Sequence, residues 1–244
     1  MDNAMYVALS RQMTLRRELD IVANNIANVD TTGFKVEGTM VRTDPSTGAK
    51  MVDGPASLKF VIDDGVTRDF GQGTLRQTGG SFDLGIEGQG FFKIQTDAGE
   101  RYTRDGRFTL SPEGKLTTQG GDPVQGQSGE IVINPELGPV SIAADGAVSQ
   151  GVTKVGKIDV VTFDDLSSLS KTGDNQFRNT SNLQPQVSTA ARVHQGMLEG
   201  SNVNSILQVT RLIEISRAYE SMARTIENSA ELSRRSVERL GRLA

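Results

Sequence analysis

Apolar residues recur at helical spacing near the start of the chain. Successive positions are alternately three and four residues apart, a heptad pattern typical of a helix that packs on another helix. These positions are Met5, Ala8, Gln12 (the single polar member), Leu15, Leu19, Val22 and Ile26. The pattern stops before Gly33, which can adopt the left-handed conformation that ends a helix. It predicts a helix of about 27 residues, ~40 Å long.

A second heptad pattern follows the C-terminal segment and shifts by one residue part-way along. Its members are Leu212, Ile215, Tyr219, Met222 and Ile226, and then Ala230, Ser233, Val237, Leu240 and Ala244. Each pattern predicts a helix whose apolar stripe must be buried against a partner helix. If the two terminal helices pair with each other, further apolar positions stay partly exposed and favour packing against neighbouring subunits. These positions are Leu9, Ile21, Val209, Ile213 and Leu232.

Between these two ends, short apolar runs alternate with glycine. Twelve of the 27 glycines lie between Gly71 and Gly121, and all seven prolines lie between Pro45 and Pro185. The pattern predicts strands joined by glycine turns, with the best candidates at Leu58–Ile62, Phe82–Ile86, Gly90–Gln95, Arg107–Leu110, Glu130–Ile133 and Lys157–Phe163. No amphipathic helix separates these strands, so a parallel α/β sheet is disfavoured. The predicted fold class is α + β, with long terminal helices and a central Gly-rich all-β domain.

Composition excludes several kinds of chemistry. The chain has 244 residues, no Cys, one His and a net charge of −4. Disulfides, thiolate metal sites, a Cys nucleophile and a His-based metal cluster are therefore ruled out. Nothing indicates a nucleic-acid partner, no apolar run is long enough to cross a bilayer, and no cleavable signal peptide is expected. We expect no catalytic, cofactor-binding or metal-binding residues.

Two local motifs have an unremarkable interpretation. Gly85, Gly88 and Gly90 have phosphate-loop spacing, but the residues after them indicate a strand where a dinucleotide loop needs a helix, so turns are predicted. His194 is the single His, and the sequence indicates neither an orienting partner nor a nucleophile for it as a general base.

Several segments resemble, in order, the motifs of bacterial flagellar rod and hook proteins. They are 23–35 (Ala-Asn-Asn-Ile-Ala-Asn-Val-Asp-Thr-Thr-Gly-Phe-Lys), 78–92, 102–108, 196–203 (Gly-Met-Leu-Glu-Gly-Ser-Asn-Val) and 217–220. The motif residues singled out within them are Asn24, Asn25, Asn28, Thr32, Gly33, Phe34, Gly88, Gly90, Phe91, Phe92, Arg104, Gly106, Ser201, Asn202 and Val203. Residues 204–208 (Asn-Ser-Ile-Leu-Gln) stand where many relatives carry an acidic stretch. This difference affects the assignment of a position within the rod and leaves the family resemblance unchanged.

The resemblance implies a structural subunit of the basal-body rod, the shaft that passes motor torque to hook and filament. It is greatest to proximal rod subunits, with distal rod subunits as the alternative. The implied partners are further copies, neighbouring rod proteins and the flagellar type III export apparatus, with no cofactor and a periplasmic position in the basal body. The implied organisation is an inner coiled-coil layer (1–33 and 201–244), extended linkers (34–77 and 183–200) and an outer β domain (78–182).

Other interpretations stay open at this point. A cell-envelope enzyme would need a carboxylate pair in a cleft, and a β-rich surface adhesin would also explain the glycines. The side chains of Asn24, Asn25 and Asn28 could cap the first helix or bond across subunits, with equal weight. Ile215, Tyr219, Met222 and Ile226 occupy one side of the predicted C-terminal helix, and each is expected to be buried only once subunits assemble.

Overall fold

The computed structural model describes residues 2–43, 61–181 and 183–241, and contacts divide the chain into two units. Unit 1 draws its residues from Met1–Ala27, Glu37–Asp69 and Asn204–Ala244. Unit 2 comprises Asn28–Val36 and Phe70–Val203. The predicted α + β class is confirmed, because one helix precedes and another follows a β-rich central region.

Unit 1 contains two long helices and one antiparallel strand pair. Helix α1 spans Asp2–Ala27 and helix α2 spans Ser205–Gly241, so they are ~39 and ~55 Å long at 1.5 Å per residue. The predicted end of the first helix is confirmed. Strands β1 (Glu37–Thr43) and β2 (Val61–Arg68) pair from Glu37 opposite Arg68, whose side chains form an ion pair at 3.0 Å.

The apolar stripes of α1 and α2 face each other within one chain. Leu15, Val22 and Ile215 form the buried centre of this helix pair. Half-buried residues surround that centre: Leu19, Ile26, Leu212, Tyr219 and Met222. The expectation that Ile215 is buried only on assembly is wrong, because Ile215 is 6% exposed in the single chain. Ile226 is half-buried further along α2.

Some of the predicted helix positions are not described. The side chains of Met5, Ser233, Val237 and Leu240 lie outside the described part of the chain, and so does the whole of Ala244.

Unit 2 is built from short antiparallel strands. They are β3 (Leu75–Gln77), β4 (Leu84–Glu87), β5 (Phe91–Thr96), β6 (Gly99–Thr103), β7 (Thr109–Leu110), β8 (Leu116–Thr117), β9 (Gln125–Gly126), β10 (Gly129–Glu130), β11 (Val140–Ile142), β12 (Ala147–Gln150), β13 (Thr153–Lys157), β14 (Val160–Thr162), β15 (Leu169–Gly173), β16 (Gln176–Asn179), β17 (Gln186–Val187), β18 (Arg192–Gln195) and β19 (Met197–Glu199). Six of them form one sheet in the order β15-β16-β6-β5-β14-β17. A three-stranded sheet has the order β11-β12-β13, and β18 pairs with β4 while β19 pairs with β3. The last two pairs place the end of unit 2 beside its beginning.

Two apolar clusters lie on the two sides of strand β5. Phe92 and Ile94 belong to the larger cluster, which includes Leu84, Leu116 and Val148. Phe91 belongs to the smaller one, where its ring meets those of Phe70, Phe163 and Phe177 edge-on, with centroids 5.5 to 6.0 Å apart. Successive side chains of a strand point to opposite faces, so the Phe91–Phe92 pair supplies one aromatic ring to each cluster.

The strand predictions succeed only in part. Those at 82–86, 90–95 and 107–110 overlap β4, β5 and β7, while residues 58–60 of another lie outside the described residues. The single strand at Lys157–Phe163 is wrong, because β13 ends at Lys157 and β14 begins at Val160. Between them Ile158, 1% exposed, is drawn into the larger cluster and donates its amide to Gly146. The strand predicted at Glu130–Ile133 is also wrong beyond Glu130, because β10 ends there. Val132 forms only an isolated bridge with Lys115 and is not part of a strand.

The predicted linker ranges contain regular structure. Range 34–77 includes β1, β2 and β3, and range 183–200 includes β17, β18 and β19. The predicted three-part division of the chain stays a prediction.

Candidate functional site

Both helices of unit 1 carry apolar residues that their pairing leaves exposed. On α2, Ile206, Val209 and Ile213 follow at spacings of three and four residues and are exposed, with Ile213 at 48%. On α1, Leu9 and Met13 are exposed and lie four residues apart. We call the stripe of Ile206, Val209 and Ile213 on α2 the apolar face. The predicted exposure of Leu9, Val209, Ile213 and Leu232 is confirmed, whereas that of Ile21 is wrong, because Ile21 is buried at 9%.

Asn25 joins the end of α1 to the first strand of unit 1. Its amide nitrogen donates to the carbonyl of Glu37 (2.7 Å), and its side-chain oxygen accepts from the amide of Glu37 (2.9 Å). The same amide nitrogen also donates to Oε1 of Gln208 on α2 (3.4 Å). Asn25 is 1% exposed. Within the chain its side-chain amide bonds both backbone groups of Glu37, as a neighbouring strand would, and does not cap α1. The oxygen of Asn28, in unit 2, accepts from the hydroxyl of Thr31, while Asn24 is exposed on α1.

Residues 28–36, which we call the 28–36 segment, belong to unit 2 and are held there at several points. Gly33 donates its amide to the carbonyl of Glu199 (2.8 Å) and has φ +69°. A Cβ on Gly33 would lie 2.5 Å from the backbone of Arg104, so no larger residue fits. The carbonyl of Thr32 accepts from Asn175, and the buried ring of Phe34 lies 4.6 Å below the ammonium of Lys171.

Three charged side chains meet in the interior of unit 2, and we call them the ion cluster. Lys35 donates to Oε1 of Glu199 (2.7 Å), and Arg104 donates to Oε2 of the same carboxylate (2.9 Å). The amide of Gly73 also donates to Oε1 (2.8 Å). The side chains of Lys35 and Glu199 are fully buried, and that of Arg104 is 2% exposed.

Carbonyl oxygens and an aromatic ring complete the surroundings of the two cations. Lys35 donates to the carbonyl of Gly71, and Arg104 donates to the carbonyl of Gly88, each at 2.8 Å. The guanidinium carbon lies 5.4 Å from the ring centre of Phe91. Burial lowers the pKa of Arg104, and the negative charge of Glu199 opposes that shift. Removing one partner of such a buried pair costs about 3–5 kcal/mol, because it leaves a charge without compensation.

The C-terminal motif residues fix the end of unit 2. Asn202 accepts from the amide of Val36 (2.8 Å) and donates to the carbonyl of Gly71 (3.1 Å). The hydroxyl of Ser201 accepts from the amide of Val203, a buried residue. Asn202 therefore links the 28–36 segment to the chain that follows β19.

The glycines of the motifs lie at positions where neighbouring atoms leave no room for a side chain. A Cβ on Gly106 would lie 1.7 Å from the carbonyl oxygen of Leu84, and one on Gly90 would lie 2.3 Å from the side chain of Val160. Gly88 and Gly90 have φ +97° and +148° and lie between β4 and β5, which confirms the predicted turn between strands.

His194 has a partner that the sequence did not indicate. Its Nε2 lies 2.7 Å from Oε2 of Glu87, across the β18–β4 pair, and both side chains are partly exposed. Among the described residues, no group of three or more acidic or His side chains is placed to hold a metal ion. Across the same residues, no helix has the length and apolar character that a membrane span needs.

Three family models match separate parts of the chain. Residues 5–35 match the model for flagella basal body rod proteins, 85–150 the flagellar hook protein FlgE/F/G D1 domain, and 194–239 the flagellar basal body rod FlgEFG protein C-terminal region. FlgF of Caulobacter vibrioides is 61% identical over the full length of both chains. The chain belongs to the flagellar basal-body rod protein family.

More distant relatives include both FlgF and FlgG proteins. FlgF of Mesorhizobium japonicum is 36% identical over 99% of each chain. FlgG of Buchnera aphidicola subsp. Schizaphis graminum is 32% identical over 88% of this chain and 90% of its own length. The ion cluster connects the three matched regions, because Lys35, Arg104 and Glu199 come from one region each.

Sequence reasoning missed two of the three members of the ion cluster. Lys35 and Glu199 lie inside the quoted motifs but were not singled out, and Arg104 was named only as a motif residue. The position of Glu199 in Met-Leu-Glu-Gly, a short strand with one charge before a glycine, is the signal that could have drawn attention to it.

Proposed function

We propose that this chain is a FlgF-like structural subunit of the proximal flagellar rod, which polymerises into the shaft that transmits torque. The single observation that carries the proposal is the 61% identity to a FlgF protein along the whole of both chains. The FlgG relative is less similar and is covered to 90%, which favours the proximal over the distal position.

The apolar face is the surface that would bind neighbouring subunits. Ile206, Val209 and Ile213 form a helical stripe that the pairing of α1 with α2 leaves uncovered. Apolar area removed from water stabilises contacts by roughly 25 cal/mol per Å². In the assembled rod, helices of adjacent copies would cover this stripe and form the coiled-coil layer that the resemblance to rod proteins implies.

The remaining features of the proposal follow from family membership. We propose neighbouring rod proteins as further partners, delivery through the flagellar type III export apparatus, and a periplasmic position without a cleaved signal. The relatives are named as flagellar basal-body rod proteins, and we propose that the chain is structural and has no catalytic activity of its own.

A charge-insertion pair tests the role of the apolar face. The double variant Val209→Asp/Ile213→Asp places two charges on exposed apolar positions, so its helix content should match that of the parent chain. We expect the variant to be absent from purified basal bodies and the cells to be non-motile. The matched control, Thr225→Asp/Asn228→Asp, adds the same charges at exposed polar positions of α2 and should be incorporated.

Two outcomes would contradict the proposal in different ways. Normal incorporation of Val209→Asp/Ile213→Asp would show that the apolar face does not bind neighbours. A labelled parent chain found at the distal end of isolated basal bodies by electron microscopy would reject the proximal position and leave the rod family unaffected.

A further inference from the structure

The exposed large apolar side chains of unit 2 are not scattered evenly. Among its described residues they are Val132, Leu137, Val152, Leu183 and Val187. Leu137 and Val152, which we call the first patch, lie at one end of the three-stranded sheet. Leu183 and Val187, which we call the second patch, lie at the free edge of the six-stranded sheet. Single exposed apolar residues are ordinary, whereas groups of them mark interaction sites.

The pairing of β11 with β12 brings the two residues of the first patch to the same end of their sheet. Val140, at the start of β11, pairs with Gln150, at the end of β12. Leu137 lies three residues before Val140, and Val152 lies two residues after Gln150. Val152 is 105% exposed in a two-residue turn, where Gly and polar residues are usual, and the exposed Lys154 follows it. Val152 therefore contributes nothing to the core of unit 2.

A buried side chain fixes the turn that carries Leu137. Gln150 is 3% exposed, and its Nε2 donates to the carbonyls of Asn134 (2.7 Å) and Gly138 (3.3 Å). Its Oε1 accepts from the amide of Asn134 (3.1 Å). The turn that these bonds hold buries none of its own residues and presents Leu137 and the exposed Glu136. A surface that is held rigid in this way loses little conformational entropy when it binds.

The second patch includes an edge strand. Strand β17 is the last in the six-stranded sheet, and its Val187 pairs with Val161 of β14. The side chain of Gln186 donates to Oδ2 of Asp164 (3.2 Å), so this exposed carboxylate lies beside Val187. An edge strand has one side that is not paired, on which another chain can pack.

Leu183 is held close to the end of β16. The side chain of Asn179 donates to the carbonyl of Leu183 (2.8 Å). Arg178, which precedes Asn179 on β16, is exposed. The second patch therefore has a basic side chain near Leu183 and an acidic one near Val187.

The charges beside the two patches are complementary. The first patch has an acid beside Leu137 and a base beside Val152, whereas the second has a base near Leu183 and an acid near Val187. Within the described ranges 2–43, 61–181 and 183–241, none of these four charged side chains forms an ion pair; they are Glu136, Lys154, Arg178 and Asp164. One orientation of the first patch on the second would pair every acid with a base.

We propose that the first patch of one copy of this chain packs on the second patch of the next copy. The pairs that meet are Leu137 with Leu183, Glu136 with Arg178, Val152 with Val187, and Lys154 with Asp164. A contact between two different surfaces is heterologous, so each added copy leaves one patch free and the assembly continues as an open helical polymer. This inference rests on the proposed polymerisation of the chain, and it adds a contact in unit 2 to the apolar face of unit 1.

The proposed contact is too small to hold two chains together alone. A stable interface involves roughly 20–30 residues on each side, and each patch has a few. The dilute chain should therefore stay monomeric. The contact forms when other surfaces already hold the copies side by side, because the second binding event is then intramolecular.

Disulfide trapping tests the contact without interference, because the chain has no Cys of its own. Two Cys residues can be bridged only when their Cα atoms lie within about 7 Å. Basal bodies that contain Val152→Cys/Val187→Cys should, after mild oxidation, give a ladder of linked copies on a non-reducing gel. Each single variant should give at least about tenfold less linked product, since like positions do not meet. In the control Ala98→Cys/Val187→Cys, the exposed turn between β5 and β6 replaces the first patch, and no ladder should form.

Two gel results would overturn the proposal and leave the role in the rod intact. Strong linkage in the single variant Val152→Cys would mean that like patches meet. The absence of a ladder from basal bodies that contain the double variant would mean that something other than a second copy covers the patches. Absence of the unchanged parent chain from basal bodies would instead reject the proposed function.

A charge exchange decides the question if the double Cys variant folds but is not incorporated. Lys154→Glu replaces an attraction by a repulsion and should lower incorporation into basal bodies at least about threefold. Lys154→Glu/Asp164→Lys restores the attraction with the signs exchanged, so incorporation should return towards that of the parent chain. Failure of the second substitution to restore incorporation would overturn the proposed contact.

Discussion

Replacing Ile215 by alanine should destabilise unit 1 in a single chain. Ile215 is 6% exposed and packs between Leu15 and Val22 of α1. Alanine lacks three of its carbon atoms, which at ~0.8 kcal/mol each gives a loss of about 2.4 kcal/mol. A cavity adds to this, but two helices around three buried residues can close part of it, so we expect a total of about 2–3 kcal/mol.

Urea denaturation followed by far-ultraviolet circular dichroism is the appropriate measurement. Both long helices lie in unit 1, so the helical signal reports mainly on that unit. Ile213→Ala is the matched control, because it makes the same change two residues earlier on α2 at a position that is 48% exposed. The control should change the free energy of unfolding by less than about 0.5 kcal/mol.

The reasoning fails if Ile215→Ala and Ile213→Ala have the same effect on the isolated chain. Equal and small effects would mean that α1 and α2 do not pair before assembly, and that Ile215 becomes buried only between subunits. Equal and large effects would mean that the apolar face is already covered in the monomer.

Two further predictions concern unit 2. Gly106→Ala places a Cβ where the carbonyl oxygen of Leu84 lies and should lower the free energy of unfolding by about 3 kcal/mol or more. In the control Gly120→Ala, the nearest atoms to the new Cβ are side-chain atoms at 3.7 Å, so the substitution should be tolerated. Equal melting temperatures of the two variants in calorimetry would refute this prediction. Burial and the neighbouring Glu100 raise the pKa of Tyr102 from 10.0 to about 12, so its stabilising contribution is complete below pH 10 and is lost as the pH rises towards 12. Ultraviolet absorbance of the phenolate should show this late titration, and it should disappear in Tyr102→Phe.

The helices could be predicted from the sequence because their information is local. The spacing of apolar residues from Leu15 to Ile26 and the turn residues that follow are enough to place the end of α1. The strands were harder, since many contain only two or three residues and carry no measurable alternation. The break after Lys157 depends on where Ile158 is buried, which is a property of the packed unit and not of its neighbours in sequence.

The ion cluster could not be predicted from sequence pattern, because its members are far apart along the chain and charged residues normally indicate a surface. No local pattern around Lys35 or Glu199 indicates a partner that lies 164 residues away in the sequence. The resemblance to rod proteins drew attention to Arg104 as a motif residue, but only the geometry shows that Arg104 and Lys35 share one carboxylate. The partner of His194, Glu87, was missed for the same reason.

The division of the chain between the two units has a consequence for folding kinetics. Neither unit is continuous: Asn25 in unit 1 bonds to Gln208, 183 residues later, and unit 2 closes between Lys35 and Glu199. Contacts of such separation raise the contact order, which slows folding by orders of magnitude relative to helical proteins with local contacts. We expect stopped-flow refolding to be correspondingly slow, and refolding within milliseconds would disprove this. Until about residue 208 is available, a lengthening chain lacks the partners that both units need, so neither unit can be complete before most of the chain has been made.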